Sequence, residues 1–212
     1  MRPADAAAAS DPLAARERPA TALLLTRFGW VALIVALDLW SKAAVFAWLQ
    51  PLQDAGELPR HACALLGHPR QPLLGDWLGF MLSTNPGAAF GKLGDMPYLL
   101  VGGRILAALF LIWLIVRASP KKAWVAAAFV LILGGALGNL YDNLLLDQLH
   151  DQHPFGPVRD FIDVYFGFAD WHFPTFNVAD SCISIGATIL VFNGLFTRPA
   201  RPKPAPPAPP AG

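Results

Sequence analysis

Charge is scarce in this chain. Of its 212 residues only 15% are Asp, Glu, Lys or Arg, against about 25% in soluble proteins. Cysteine is scarcer still: Cys63 and Cys182 fall at different expected depths and do not pair, and there is no disulfide framework, zinc-knuckle spacing or haem attachment motif. The formal net charge is +1 and the basic residues form no stripe, so there is no reason to expect nucleic acid. No internal repeat and no HExxH zinc motif occur in the sequence.

What is present is apolar. Hydrophobic residues make up 55% of the chain and the mean hydropathy is +0.44. Four stretches, residues 28–49, 98–116, 123–141 and 176–196, come up to the roughly 20 apolar residues that a membrane span requires. With both termini cytoplasmic, the inside collects Arg2, Arg16, Arg18, Arg27, Arg117, Lys121, Lys122, Arg198, Arg201 and Lys203, and the outside keeps only Arg60, Arg70, Lys92 and Arg159. That asymmetry obeys the positive-inside rule. The connections over about residues 50–97 and 142–175 then lie outside.

The first apolar run reads as a retained span. It carries Asp38, follows about 20 polar residues, and ends in FAWLQ with no small-residue cleavage site, unlike a secretory leader with its apolar region of about 7–15 residues. Residues 1–20 and the Pro-rich 198–212 lack an apolar face. They are expected to be disordered cytoplasmic segments flanking a membrane domain at 21–197.

Ionisable groups in membrane spans cost about 2.5–3.5 kcal/mol and mark functional sites by default. Within DLWSK, a spacing of four sets Asp38 and Lys42 on one helical face, either as a mutually neutralised pair or as support for a site. Gly134 and Gly138 have the small-xxx-small spacing of a close helix contact. Asn139 and Asp142, three apart, share a face and need partners that hydrocarbon cannot offer. After Pro174, Asn177 is placed as an N-cap and Asp180 at the capping-box position. The positive end of the helix marks Asp180 as the ionised member of any carboxylate pair. Taken alone, Asp160 is an ordinary aspartate of the second outer loop, as are Asp163 and Asp170. His150, Asp151 and His153, with Asp147 nearby, form a competing metal constellation. Their spacing and the following Pro154 argue against it, and neither metal nor cofactor is expected.

Taken together, DLWSK, STNPGAAFG, GGALGNLYDN, VRDFI and FNVAD resemble, in order and rough spacing, the five motifs of lipoprotein signal peptidase, or signal peptidase II. The resemblance covers about residues 30–190. It implies an all-α membrane protein with four transmembrane helices and a small extracytoplasmic β-rich cradle. It also implies an aspartic endopeptidase of the bacterial cytoplasmic (inner) membrane, working near the outer face on diacylglyceryl-modified prolipoproteins among membrane lipids, here expected as a monomer. The catalytic pair carries over to Asp160 and Asp180. The supporting and substrate-binding positions are Asp38, Lys42, Asn85, Gly87, Asn139, Asp142, Asn143 and Asn177. Two carboxylates held together form an acid/base pair sharing one proton.

Three departures stand out. Asn143 occupies the place of the arginine that ends the family's GNxxDR motif, so Asp142 must stay protonated or borrow Lys42 or Arg159, and Asn143→Arg is expected to leave catalysis intact or raise it. HDQHPFGPV lengthens the loop before Asp160, and ELPRHACALLGHPR enlarges the first outer loop. The competing function is a non-enzymatic membrane carrier or lipid-binding paralogue, in which intramembrane Asp, Asn and Arg104 bind a ligand.

Overall fold

Long apolar runs fold as helices in a membrane because only there does every backbone amide find a partner within its own segment. The computed structural model describes residues 19–60, 68–86, 96–146 and 154–196. In chain order these residues form α1 (Thr21–Asp54), β1 (Gln71–Leu74), β2 (Leu78–Asn85), α2 (Pro97–Arg117), α3 (Ala123–Leu145), β3 (Val158–Phe166), β4 (Trp171–His172) and α4 (Val178–Phe196). All four helices are long and apolar enough to cross a membrane. The expected N- and C-terminal segments lie almost wholly outside the described residues, as do Cys63, Gly87, Asp147, His150, Asp151 and His153.

The helices follow the apolar runs, and α1 and α3 extend past them, α1 at both ends and α3 through the buried Asp142 and Asn143. At 34 residues α1 is about 51 Å long at 1.5 Å per residue, well beyond a hydrocarbon core of about 30 Å. It stops at Gly56, whose φ of 72° closes two end bonds, Gly56 N–H to the Gln53 carbonyl at 3.0 Å and Glu57 N–H to the Leu52 carbonyl at 2.9 Å. This left-handed helix ending suits glycine, which has no Cβ to clash. At the opposite end of α1, the Arg27 guanidinium donates to the carbonyls of Ile115 (2.8 Å) and Ala118 (3.0 Å), satisfying the open end of α2.

α3 is the central helix and contacts the other three. Its glycines explain how. A Cβ on Gly134 would stand 2.7 Å from Ile34 Cγ2, and one on Gly135 would run into the Ala179 carbonyl, so α1 and α4 both approach the α3 backbone closely. Val31, Ile34, Ala108, Leu111, Ile115, Val130 and Leu133 form the core between α1, α2 and α3.

The strands form one antiparallel sheet in the order β1-β2-β3-β4. β1 and β2 come from the α1–α2 connection, β3 and β4 from the α3–α4 connection, so the sheet gathers at one end of the bundle. It rests on the projecting end of α1, where Val45, Leu49, Leu58 and Phe161 are buried together and Phe80 meets Trp48 and Phe161 edge-on at 6.4 and 5.4 Å. The segment read from sequence as a loop bearing Asp160 and Asp163 is therefore β3, buried on both faces. Its lack of a polar/apolar alternation follows from that double burial.

Candidate active site

One buried amide connects the two aspartates. Asn177 precedes α4, and its Oδ1 accepts the Asp180 backbone N–H at 2.9 Å while Asp180 Oδ2 accepts the Asn177 backbone N–H at 3.2 Å. This is the reciprocal capping box expected from the sequence. The same side chain turns its Nδ2 to Asp160 Oδ1 at 2.7 Å, to Asn139 Oδ1 at 3.1 Å and to the Arg159 carbonyl at 3.2 Å. Asn177 is fully buried, so these bonds have no water to exchange with, and the amide is fixed in orientation.

Asp160 arrives from β3. An irregularity in the β2–β3 register between Phe80 and Ser83 sets Ser83 opposite Asp160 and Asn85 opposite Val158, a bulge of the kind that re-aims side chains at sites. The Asn85 side chain hydrogen-bonds the Asp160 carboxyl. Burial pushes that carboxyl up, and the negative charge of Asp180 pushes the same way. Hydrogen bonds from Asn177 and Asn85 and the charge of Lys42 oppose them, and the balance is a pKa of about 7. Two carboxylates that resist joint ionisation are the physical requirement for a pair holding one proton near neutrality.

A layer of charge holds this pair from behind. Lys42 Nζ lies 2.7 Å from Asp38 Oδ2, 3.2 Å from Asp142 Oδ2 and 2.9 Å from Asn139 Oδ1, and all three charged side chains are fully buried. With its oxygen drawn to the ammonium, Asn139 points its Nδ2 at Asp180 Oδ1, 2.8 Å away. Lys42 thus orients a donor to Asp180 without touching it. Asp38 Oδ1 also accepts the Ala179 backbone N–H at 2.8 Å, one of the open donors of the α4 N-terminus. Gly138 makes room for Asp38: a Cβ there would stand 2.5 Å from Asp38 Oδ2. The expected pair of Asp38 and Lys42 therefore exists and also joins α1 to α3 and α4.

Asp142 borrows both of the cations that the sequence offered. Besides Lys42, Arg159 donates to it twice, from its guanidinium at 2.7 Å and its backbone N–H at 3.0 Å. Asn143 is bound as well: its Nδ2 donates to the Gly156 carbonyl at 2.7 Å, and its Oδ1 accepts from the Arg104 guanidinium of α2.

A cavity of about 870 Å³ opens beside the pair, between α2, α3 and α4 and under residues 173–176. Leu99, Leu100, Ala107, Ala136, Ile183 and Ile185 give it apolar walls, and Asn85, Arg104, Asn139 and Asp180 are among its polar lining residues. Such a cavity suits an apolar ligand with a few polar atoms near the carboxylates.

The structure brings together nine of the ten sequence-derived positions, and Gly87 lies outside the described residues. One feature was missed, and another, Arg104, was offered from sequence only under the competing ligand-binding reading. Arg104 is the sole arginine within the four apolar stretches, a signal that was legible without its partner. Asp163, read as ordinary, is fully buried between the Arg70 guanidinium and His172 Nδ1, the latter at 2.8 Å. Arg70 belongs to the enlarged first outer loop, so this contact clips that insertion to β3. No local pattern links two residues 93 positions apart.

The comparisons with known proteins agree with one another. The family model for signal peptidase (SPase) II matches residues 30–196. The lipoprotein signal peptidase of Yersinia pseudotuberculosis serotype O:1b is 34% identical over 179 residues, covering 82% of this chain and 89% of that protein. That of Psychromonas ingrahamii is 38% identical over 130 residues, covering 59% and 69%. Two bacterial membrane enzymes solved by the in meso method share the fold, with TM-scores of 0.61 and 0.58 at 21% and 23% identity, over 85% and 82% of this chain and 92% and 94% of theirs. A polar site at one end of a four-helix membrane bundle, matched by a family model over most of the chain, makes this protein a member of the signal peptidase II family.

Proposed function

We propose that the chain is an aspartic endopeptidase that removes the signal peptide from diacylglyceryl-modified prolipoproteins, with Asp160 and Asp180 as its catalytic pair. The observation that carries this reading is the coupling of the two carboxylates through Asn177, with Asp160 pushed up to about 7 and Asp180 beside it at a helix N-terminus. With the Asp160 carboxyl pushed up to about 7, the pair shares one proton near neutral pH, and the reaction is written with that proton on Asp160.

The reaction follows from that distribution. Asp180 takes a proton from water, and the oxygen attacks the carbonyl carbon of the residue before the lipidated cysteine. Asp160, protonated, donates a hydrogen bond to the oxygen that becomes negative, where a fixed donor lowers the barrier most. The proton held by Asp180 passes to the cysteine nitrogen as the C–N bond breaks, which yields a free carboxylate on the signal peptide and a free amine on the lipoprotein. The reaction uses one water and no metal or cofactor. Asn139 and Asn177 hold the carboxylates, and Asp38, Lys42, Asp142 and Arg159 hold the asparagines and the strand that carries Asp160.

The excess of basic residues beside both termini supports a cytoplasmic position for them, with the sheet and the carboxylate pair at the outer face of the inner membrane. The apolar cavity takes the acyl chains, so substrate arrives by lateral diffusion, and a single chain supplies every group needed. Purified chain in lipid nanodiscs should cleave a diacylglyceryl prolipoprotein on the N-terminal side of its cysteine. In H₂¹⁸O the label should enter the signal peptide's new carboxylate. Cleavage at any other bond, or equal cleavage of the unlipidated precursor, would contradict the reading.

A further inference from the structure

Arg104 has no task in the reaction just described. Among the described residues that line the cavity it is the one Lys or Arg, and it stands in α2, an otherwise apolar helix until Arg117 at its end. Its guanidinium donates to Asn143 Oδ1, and the other end of that amide is tied to the Gly156 carbonyl. The amide therefore cannot turn away, and it fixes the angle of the planar fork. Arg104 lines the same cavity as Asp180, so the fork faces the space in which bond cleavage is proposed.

A diacylglyceryl peptide entering this cavity brings few strong acceptors. Its acyl chains have none, which leaves the two ester carbonyls of the lipid and the main-chain carbonyls around the modified cysteine. Between apolar walls, a carbonyl oxygen that meets a guanidinium gains a charge-assisted hydrogen bond little weakened by water. We propose that Arg104 is the substrate-positioning residue of this site, holding a carbonyl oxygen at the lipid end of the substrate from α2, with the Asn143 amide setting its orientation. This rests on the peptidase reading above. It also revises the expectation for Asn143→Arg, which here would press a second guanidinium against the first and break the bond to Gly156.

The test uses the full chain in nanodiscs, with a diacylglyceryl prolipopeptide and its dialkyl ether analogue as substrates. Arg104→Gln should raise KM about 10- to 100-fold, the effect of one hydrogen bond to a charged group, with kcat near wild type because ground and transition states lose it equally. Arg104→Lys should recover part of the loss. Asn143→Arg alone should impair the enzyme, whereas Asn143→Arg combined with Arg104→Gln should recover most of the KM, the cation now reaching the cavity from α3. If the acceptor is a lipid ester, the ether substrate should weaken wild type as much as Arg104→Gln does, with no further loss in the variant. If it is a peptide carbonyl, Arg104→Gln should weaken both substrates equally. An unchanged KM in Arg104→Gln overturns the proposal, as does a double variant no better than Arg104→Gln. Full turnover by Asp160→Asn alongside a raised KM in Arg104→Gln would instead sink the aspartate pair and leave the binding role standing.

Discussion

Replacing Asp160 by asparagine should abolish cleavage and yet make the protein more stable, by an amount that depends on pH. The folded chain holds the Asp160 proton more tightly than the unfolded chain, since burial and the Asp180 charge raise its pKa from 3.8 to about 7. Between those values the native state binds more protons than the unfolded state, so stability falls as pH rises, and above 7 the loss is complete. A displacement of about three units at 1.36 kcal/mol each sets an upper limit of about 4 kcal/mol. Asparagine keeps an oxygen for Asn177 Nδ2 and never ionises. Asp160→Asn should therefore match wild type near pH 4 and exceed it by up to about 4 kcal/mol at pH 8. Thermal midpoints read from tryptophan fluorescence in detergent micelles at several pH values would show the gap opening. The stability of Asp180→Asn, which lacks the second cause of the shift, should be less sensitive to pH than that of wild type over the same range. A gap that is constant with pH, or a variant less stable than wild type at pH 8, would refute the burial and charge argument.

Other consequences can be checked with the same preparation. The pH profile of kcat/KM should be bell-shaped, with its alkaline limb near 7 as the proton on Asp160 is lost, and a flat profile with intact protein would contradict a shared proton. Lys42→Met should destabilise the chain by about 3–5 kcal/mol because it leaves the buried Asp38 without its cation and Asp142 with Arg159 alone. Adding Asp38→Asn should return part of that stability, as seen in thermal midpoints. Strong chelators, and His150→Ala combined with His153→Ala, should leave turnover unchanged, whereas loss on chelation restored by zinc would point to metal chemistry.

The sequence made the helices legible to within a few residues because an uninterrupted apolar run has one stable form in a bilayer. α1 ran past its expected ends, since a hydropathy run marks the apolar stretch and not where backbone hydrogen bonding stops. The capping box of Asn177 and Asp180 was legible because it is local, and so was the shared face of Asn139 and Asp142, which proved to converge on Lys42. The sheet entered only through the resemblance. β3 is buried on both faces, so it lacks the alternation that announces a strand. Arg70 with Asp163 and Arg104 with Asn143 were invisible as pairs, because each joins distant segments whose approach depends on the finished fold.

Cleavage of one lipidated prolipoprotein by wild type, Asp160→Asn and Asp180→Asn, at equal abundance in the membrane, tests the central claim most directly. Each single variant should retain the wild-type fold and lose turnover to the limit of detection, and the double variant should be no worse than either, because the two carboxylates act as one unit. Turnover near wild type by either single variant would contradict the account.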